Sequence, residues 1–135
     1  MTKQTEKGKY IEGVGRRKTA IARVRIYPEE AKKGFIVNDK KSEVYFPTLR
    51  YQKTVAAPLT AVNEKMNVEV KVEGGGVTAQ AEAIRMGLAR ALVIFSQDHK
   101  SELKTRGYLT RDARMVERKK YGRRKARRAF QWKKR

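Results

Sequence analysis

The chain has 135 residues and a formal net charge of +20, from 34 Lys or Arg against 14 Asp or Glu, and so fits one domain plus an extension rather than two domains. The absence of cysteine excludes disulfide staples, Cys-based zinc sites and thiol catalysis. The longest apolar run, residues 91–95, is too short to span a bilayer, and residues 1–12 lack both a signal-peptide core and the acid-poor character of a transit peptide. The expectation is a cytoplasmic chain that stays where it is made and has no membrane partner.

After a polar leader over residues 1–12, residues 19–27 alternate cleanly, placing Ala20, Ala22, Val24 and Ile26 on one face and Arg23 and Arg25 on the other. This predicts a half-buried strand, with Arg23 and Arg25 either extending a cationic surface or facing water. Pro28, a charged cluster at residues 29–33 and Gly34 form a loop before a short strand at Phe35, Ile36 and Val37. The pair Asn38-Asp39 then turns the chain, with a hairpin-like reversal expected toward Val44, Tyr45 and Phe46. Pro47 opens a predicted helix over residues 48–57, stopped by Pro58, with Leu49, Val55 and Ala56 inward.

The second half carries sharper patterns. Met66, Val68, Val70 and Val72 alternate with polar residues, which predicts a strand ended by Gly74, Gly75 and Gly76. A long helix is predicted over residues 79–96, with Gln80, Ile84, Gly87, Leu88, Ala91, Leu92 and Phe95 on one stripe, Glu82, Arg85 and Arg90 around the rest, and Met86, Ala89 and Val93 opposite, so that it touches neighbours on both sides. Gly87 on the inward stripe implies close packing against the sheet. A short helix is predicted over residues 98–106, and the body, residues 13–107, ends at Gly107. The element order implies an α+β sandwich, with helices on one face of a mixed, mainly antiparallel sheet.

Residues 108–135 form an extended basic arm. From Lys104 onward fifteen Lys or Arg face only Asp112 and Glu117, and beyond Arg118 there is no acid at all. Such a density of like charge repels itself unless the surroundings supply the counter-charge. Tyr121, Phe130 and Trp132 lie among the cations, so phosphate neutralisation and base stacking are available together. The arm is expected to be disordered when free and to order on folded RNA.

Gly13, Gly15 and the cations Arg16, Arg17 and Lys18 read as a second phosphate contact, at the entrance of the first strand. The three glycines at residues 74–76 lack the Gly-Lys-Ser/Thr ending of a P-loop and read first as a tight turn beneath the helix, then as an RNA-phosphate contact. His99, beside Asp98 and Glu102, reads as a surface residue at a helix entry. No catalytic constellation emerges, and neither cofactor nor metal is implied. Classes other than structural RNA binding are a free nucleic-acid chaperone or architectural binder, and a phosphate-handling enzyme using the glycine turn.

Three blocks carry a family resemblance: GVGRRKTAIARV, GGGVTAQAEAIRMGLARAL and LTRDARMVERKKYGRRKARRAFQWKKR. With them the chain resembles bacterial-type small-subunit ribosomal protein S9, the universal uS9 family, along nearly its whole length. The resemblance implies a fold of the ribosomal protein S5 domain 2 type, with a left-handed strand-helix-strand crossover. It implies a structural, non-enzymatic role in the small-subunit head, with 16S-type rRNA, P-site tRNA and neighbouring head proteins as partners. The rRNA contacts it implies are Arg16, Arg17, Lys18, Arg111, Arg114, Arg118, Lys119, Lys120, Arg123, Arg124, Lys125, Arg127 and Arg128, and the tRNA contacts are Lys133, Lys134 and Arg135. The family's tail usually finishes Gln, aromatic, Ser, Lys, Arg; this chain has Lys133 at the Ser position and Phe130 where Pro is frequent.

Overall fold

The computed structural model describes residues 10–28 and 34–134. The predicted loop cluster at residues 29–33, most of the leader and Arg135 lie outside the described residues. Five strands form one sheet in the order β1-β2-β5-β3-β4, where β1 is Ile11–Arg17, β2 Ala20–Tyr27, β3 Phe35–Val37, β4 Lys40–Lys41 and β5 Asn67–Glu73. Helices α1 (Ser42–Tyr45) and α2 (Leu49–Val62) lie between β4 and β5, and α3 (Val77–Phe95) and α4 (His99–Thr105) follow β5. The β1-β2, β2-β5 and β3-β4 pairs are antiparallel and β3-β5 is parallel, which makes this the expected α+β sandwich with a mixed, mainly antiparallel sheet.

The alternating residues sit as their period demands. Ala20, Ala22, Val24 and Ile26 of β2 and Val68, Val70 and Val72 of β5 are buried on the helix-facing side. Helix α3 lies across β1 and β2, and α2 packs on its other flank, which is why Ile84, Leu88, Ala89 and Leu92 are all buried around one helix. On the open face, Glu12 pairs with Arg25 at 3.0 Å and Arg23 at 3.5 Å, so these two arginines share one carboxylate.

Strand β1 is an addition to the predicted elements. Its fully buried positions are Gly13 and Gly15, which carry no hydrophobic signal, and both are required by the approach of α3. A Cβ on Gly15 would stand 1.9 Å from the Ala83 carbonyl oxygen, and one on Gly13 would stand 2.2 Å from that of Gly87. Gly87 completes the contact: its own Cβ would meet the backbone nitrogen of Gly15 at 3.0 Å. These glycines serve helix-on-strand packing rather than close approach to phosphate.

Three further details differ from the periodicity reading. Residues 44–46 do not reverse as a strand: Val44 and Tyr45 lie in α1, and Phe46 follows it as a fully buried residue. Helix α2 runs through Pro58, whose burial with Val55 in the core offsets the lost backbone donor. Leu49 is exposed at the start of that helix and Ala56 is only half-buried, and Phe95, expected on the inward stripe, is exposed because it closes the last turn of α3.

Asn38 extends the β3-β5 ladder with its side chain. Its Oδ1 accepts the Val72 N–H at 2.9 Å and its Nδ2 donates to the Val72 carbonyl at 2.9 Å. From there Tyr45 donates to Gln80 at 2.8 Å, and Gln80 donates to the Gly74 carbonyl at 3.1 Å. Gly74 and Gly75 have φ of 73° and 66°, and a Cβ on either would come within 3 Å of Thr19 or Ala20. The glycine turn is therefore fastened to the body, as the packing reading of that motif expects.

Candidate nucleic-acid interface

The β1-β2 hairpin turns at Lys18 and Thr19, with Lys18 at φ 50°, and brings Arg16, Arg17 and Lys18 beside the root of the basic arm. The three cations part there. Arg16 and Lys18 are exposed, whereas the side chain of Arg17 is only 13% exposed. Its Nε donates to Glu82 of α3 at 2.6 Å and its Nη2 lies 3.3 Å from an Asp112 carboxylate oxygen. Its Nη1 donates to the carbonyls of Asp112 at 3.2 Å and Arg114 at 2.7 Å. A guanidinium spends its fork on planar acceptors in this way. Arg17, expected among the phosphate contacts, thus joins strand, helix and arm.

Asp112 organises the arm from its own side. It accepts the Arg114 Nε at 3.0 Å, the Arg114 Nη2 at 2.7 Å and the Arg114 backbone N–H at 3.0 Å. The Arg114 side chain, then its backbone N–H, with the Arg17 charge as a smaller contribution, hold the Asp112 carboxyl well below the usual carboxylate range. Upstream, Tyr108 and Leu109 pack against the core, and the Arg85 guanidinium lies 5.1 Å from the Tyr108 ring centroid. The arm is attached to the body past the predicted boundary at Gly107.

Beyond Val116 none of the described residues of the arm is buried, and they fold back on one another. Glu117 pairs with Lys120 and with Arg127 at 2.9 Å. Gly122 at φ 68° and a bond from the Arg124 N–H to the Arg128 carbonyl at 2.8 Å turn the chain back. Arg124 stands over Phe130 at 5.7 Å, while Tyr121 and Trp132 are 96% and 79% exposed. Lys120, Arg114 and Arg127 therefore have acid partners, all at the surface. Arg111, Arg118, Lys119, Arg123, Arg124, Lys125, Arg128, Lys133 and Lys134 are exposed and have no acid partner among the described residues.

The site has the chemistry of a polyphosphate clamp: exposed cations without acids, open rings and a fixed root. Among the described residues no three His, Asp or Glu side chains group as a metal site, and His99 at the head of α4, expected at the surface, is half-buried with its Nε2 3.8 Å from Glu64. No helix of the described residues is long and apolar enough to cross a membrane.

Residues 15–135, which include the whole arm, match the family described as Ribosomal protein S9/S16. The chain belongs to that family. It is 51% identical to the small ribosomal subunit protein uS9 of Cytophaga hutchinsonii, over 93% of this chain and 98% of that one. It is 48% identical to uS9c of Gracilaria tenuistipitata var. liui over the full length of both. It is 47% identical to uS9m of Arabidopsis thaliana, over 91% of this chain and 29% of that one. Membership makes it a structural ribosomal protein rather than an enzyme, and its relatives include bacterial and organellar forms.

The sequence pointed to the cations but not to the node that positions them. Glu82 and Arg85 read in sequence only as polar residues distributed around the helix, and Glu82 lies 65 residues from Arg17. Only the fold brings them to the arm.

Proposed function

We propose that the chain is a structural component of the small ribosomal subunit, where its body and arm bind 16S-type rRNA of the head and its tip reaches P-site tRNA. The observation that carries the reading is the family match across the entire basic arm, whose cations are exposed and mostly free of acids. Arg16, Lys18, Arg111, Lys119, Lys125 and their unpaired neighbours meet phosphates. Arg17 and Arg114 hold the arm root in place, and Lys120 and Arg127 give up a surface pair with Glu117 at little cost when RNA displaces it. Tyr121 and Trp132 stack on bases or pack on sugars.

At the tip, Lys133, Lys134 and Arg135 make phosphate contacts to tRNA, and head proteins adjoin the body. The test is tRNA dissociation from purified subunits carrying full-length protein or protein lacking residues 133–135. Assembly should survive the truncation, because eight cations remain between Arg118 and Arg128. The tRNA off-rate should rise by about tenfold, as expected for one or two lost charge-assisted contacts. Equal off-rates would remove the tRNA role and leave the arm as an rRNA anchor.

A further inference from the structure

A pocket of about 150 Å3 opens where the hairpin, α3 and the arm root meet. Four arginines line it, Arg16, Arg17, Arg85 and Arg114, against two carboxylates, Glu82 and Asp112. Both carboxylates are taken by Arg17 and Arg114. Arg16 and Arg85 have no acid partner among the described residues, so the pocket holds two positive charges in excess. The Tyr108 ring beside Arg85 orients its guanidinium and leaves the N–H edge available. Thr110, also in the lining, offers a hydroxyl with no partner among the described residues.

The dimensions narrow the ligand. Clefts that take whole small molecules start near about 300 Å3, so a base with its sugar does not fit, whereas a tetrahedral oxyanion does. Excess cationic charge, a fork-shaped donor edge and a hydroxyl match phosphate oxygens. We infer that this pocket seats a single phosphate group, held by Arg16, Arg85 and the Thr110 hydroxyl, and that the group is a phosphodiester of RNA. The seat rests on the RNA-binding reading above and adds Arg85 and Thr110 to it. Its position beside the Arg17 node fixes the arm root and one backbone phosphate in the same frame, so the arm leaves the body in a set direction along the RNA.

The test uses the full-length protein and a transcript of the small-subunit rRNA head, with affinity measured across a salt series. Replacing Arg85 by Ala should lower affinity about tenfold and reduce the slope of log affinity against log salt by about 0.7–0.9. Arg85→Lys should restore the slope but only part of the affinity, and Thr110→Val should lower affinity with the slope intact. Wild-type binding that Arg85→Ala leaves unchanged in both respects would remove RNA as the occupant of the seat, whose existence the phosphate titration below decides. No specific binding by the wild type would overturn the RNA reading itself.

Because Arg85→Ala also removes packing on Tyr108, a second measurement uses unmodified protein and inorganic phosphate, following the arginine Nε–H NMR signals. Arg16 and Arg85 should shift at lower phosphate concentration than Arg123 of the open arm. Equal shifts at all arginines would show a diffuse ion atmosphere and refute the seat. Selective shifts without any loss of RNA affinity in Arg85→Ala would refute RNA as the source of the phosphate.

Discussion

Arg17 of the first hairpin and Glu82 of the long helix meet at 2.6 Å across 65 residues of sequence, and the same guanidinium holds the carbonyls of Asp112 and Arg114. One side chain thereby decides where a strongly cationic arm starts. Arg17→Ala should cost about 1–3 kcal/mol, because it strips a half-buried carboxylate of its partner. Arg17→Lys should recover only a fraction, since an ammonium cannot span the same acceptors. Urea denaturation gives the stability. Unchanged midpoints in both variants would show that the node is incidental.

The same node divides two kinds of cation. Replacing Arg16 and Lys18 together by Ala should lower the salt slope of rRNA binding by about 1.4–1.8, two contacts' worth, with stability intact. Arg17→Ala should weaken binding through arm disorder and leave the slope nearly as it is. Measured slopes that fall equally for Arg16→Ala and Arg17→Ala would show Arg17 to be a phosphate contact after all.

In free protein, backbone order parameters should stay high through Arg114 and fall beyond Arg118. Ordering eighteen residues costs on the order of 18–36 kcal/mol of backbone entropy, and the pairs around Glu117 are exposed ones that contribute little. Rigid values from residue 118 to the tip without RNA would contradict this.

Acid should reach the Asp112 contact late. Its ordinary value is about 3.9, and in the folded chain Arg114 and Arg17 hold it well below that. A depressed carboxyl stabilises fully above the unfolded value, and its contribution is lost as pH falls through the folded one. Carbon NMR of the Asp112 carboxyl should show a midpoint well below 3.9 that returns toward it in Arg114→Ala. An ordinary midpoint in the parent chain would mean that the arm root is loose in solution.

Packing of α3 on β1 gives a sharper stability test. Gly15→Ala places a Cβ 1.9 Å from a backbone carbonyl of α3, which neither element can yield without separating. A loss of about 1–3 kcal/mol or more is expected in denaturation, with Gly76→Ala, where nothing lies within 4 Å, as the tolerant control. Equal stability of the two variants would contradict the close approach.

How much of this was legible in sequence follows from where each signal resides. Strands β2 and β5 and helix α3 announce themselves because their apolar period survives in the residues. Strand β1 does not, because its two fully buried positions had to be glycine for α3 to approach, and glycine erases the alternation. Pro58 misleads as a stop because its burial is decided by tertiary packing. The unpaired cations of the arm could be read directly, whereas the inward turn of Arg17 could not, since its partners lie 65 and 95 residues away. The pocket beside it combines residues from three elements and has no local signature.

The most direct measurement of the central claim is density-gradient fractionation of cell lysate, following full-length protein and protein lacking residues 118–135. Full-length chain should travel with small subunits and the truncated chain should shift largely to the free fractions, because the body alone keeps few of the phosphate contacts. Full-length chain found only as free protein would contradict the account.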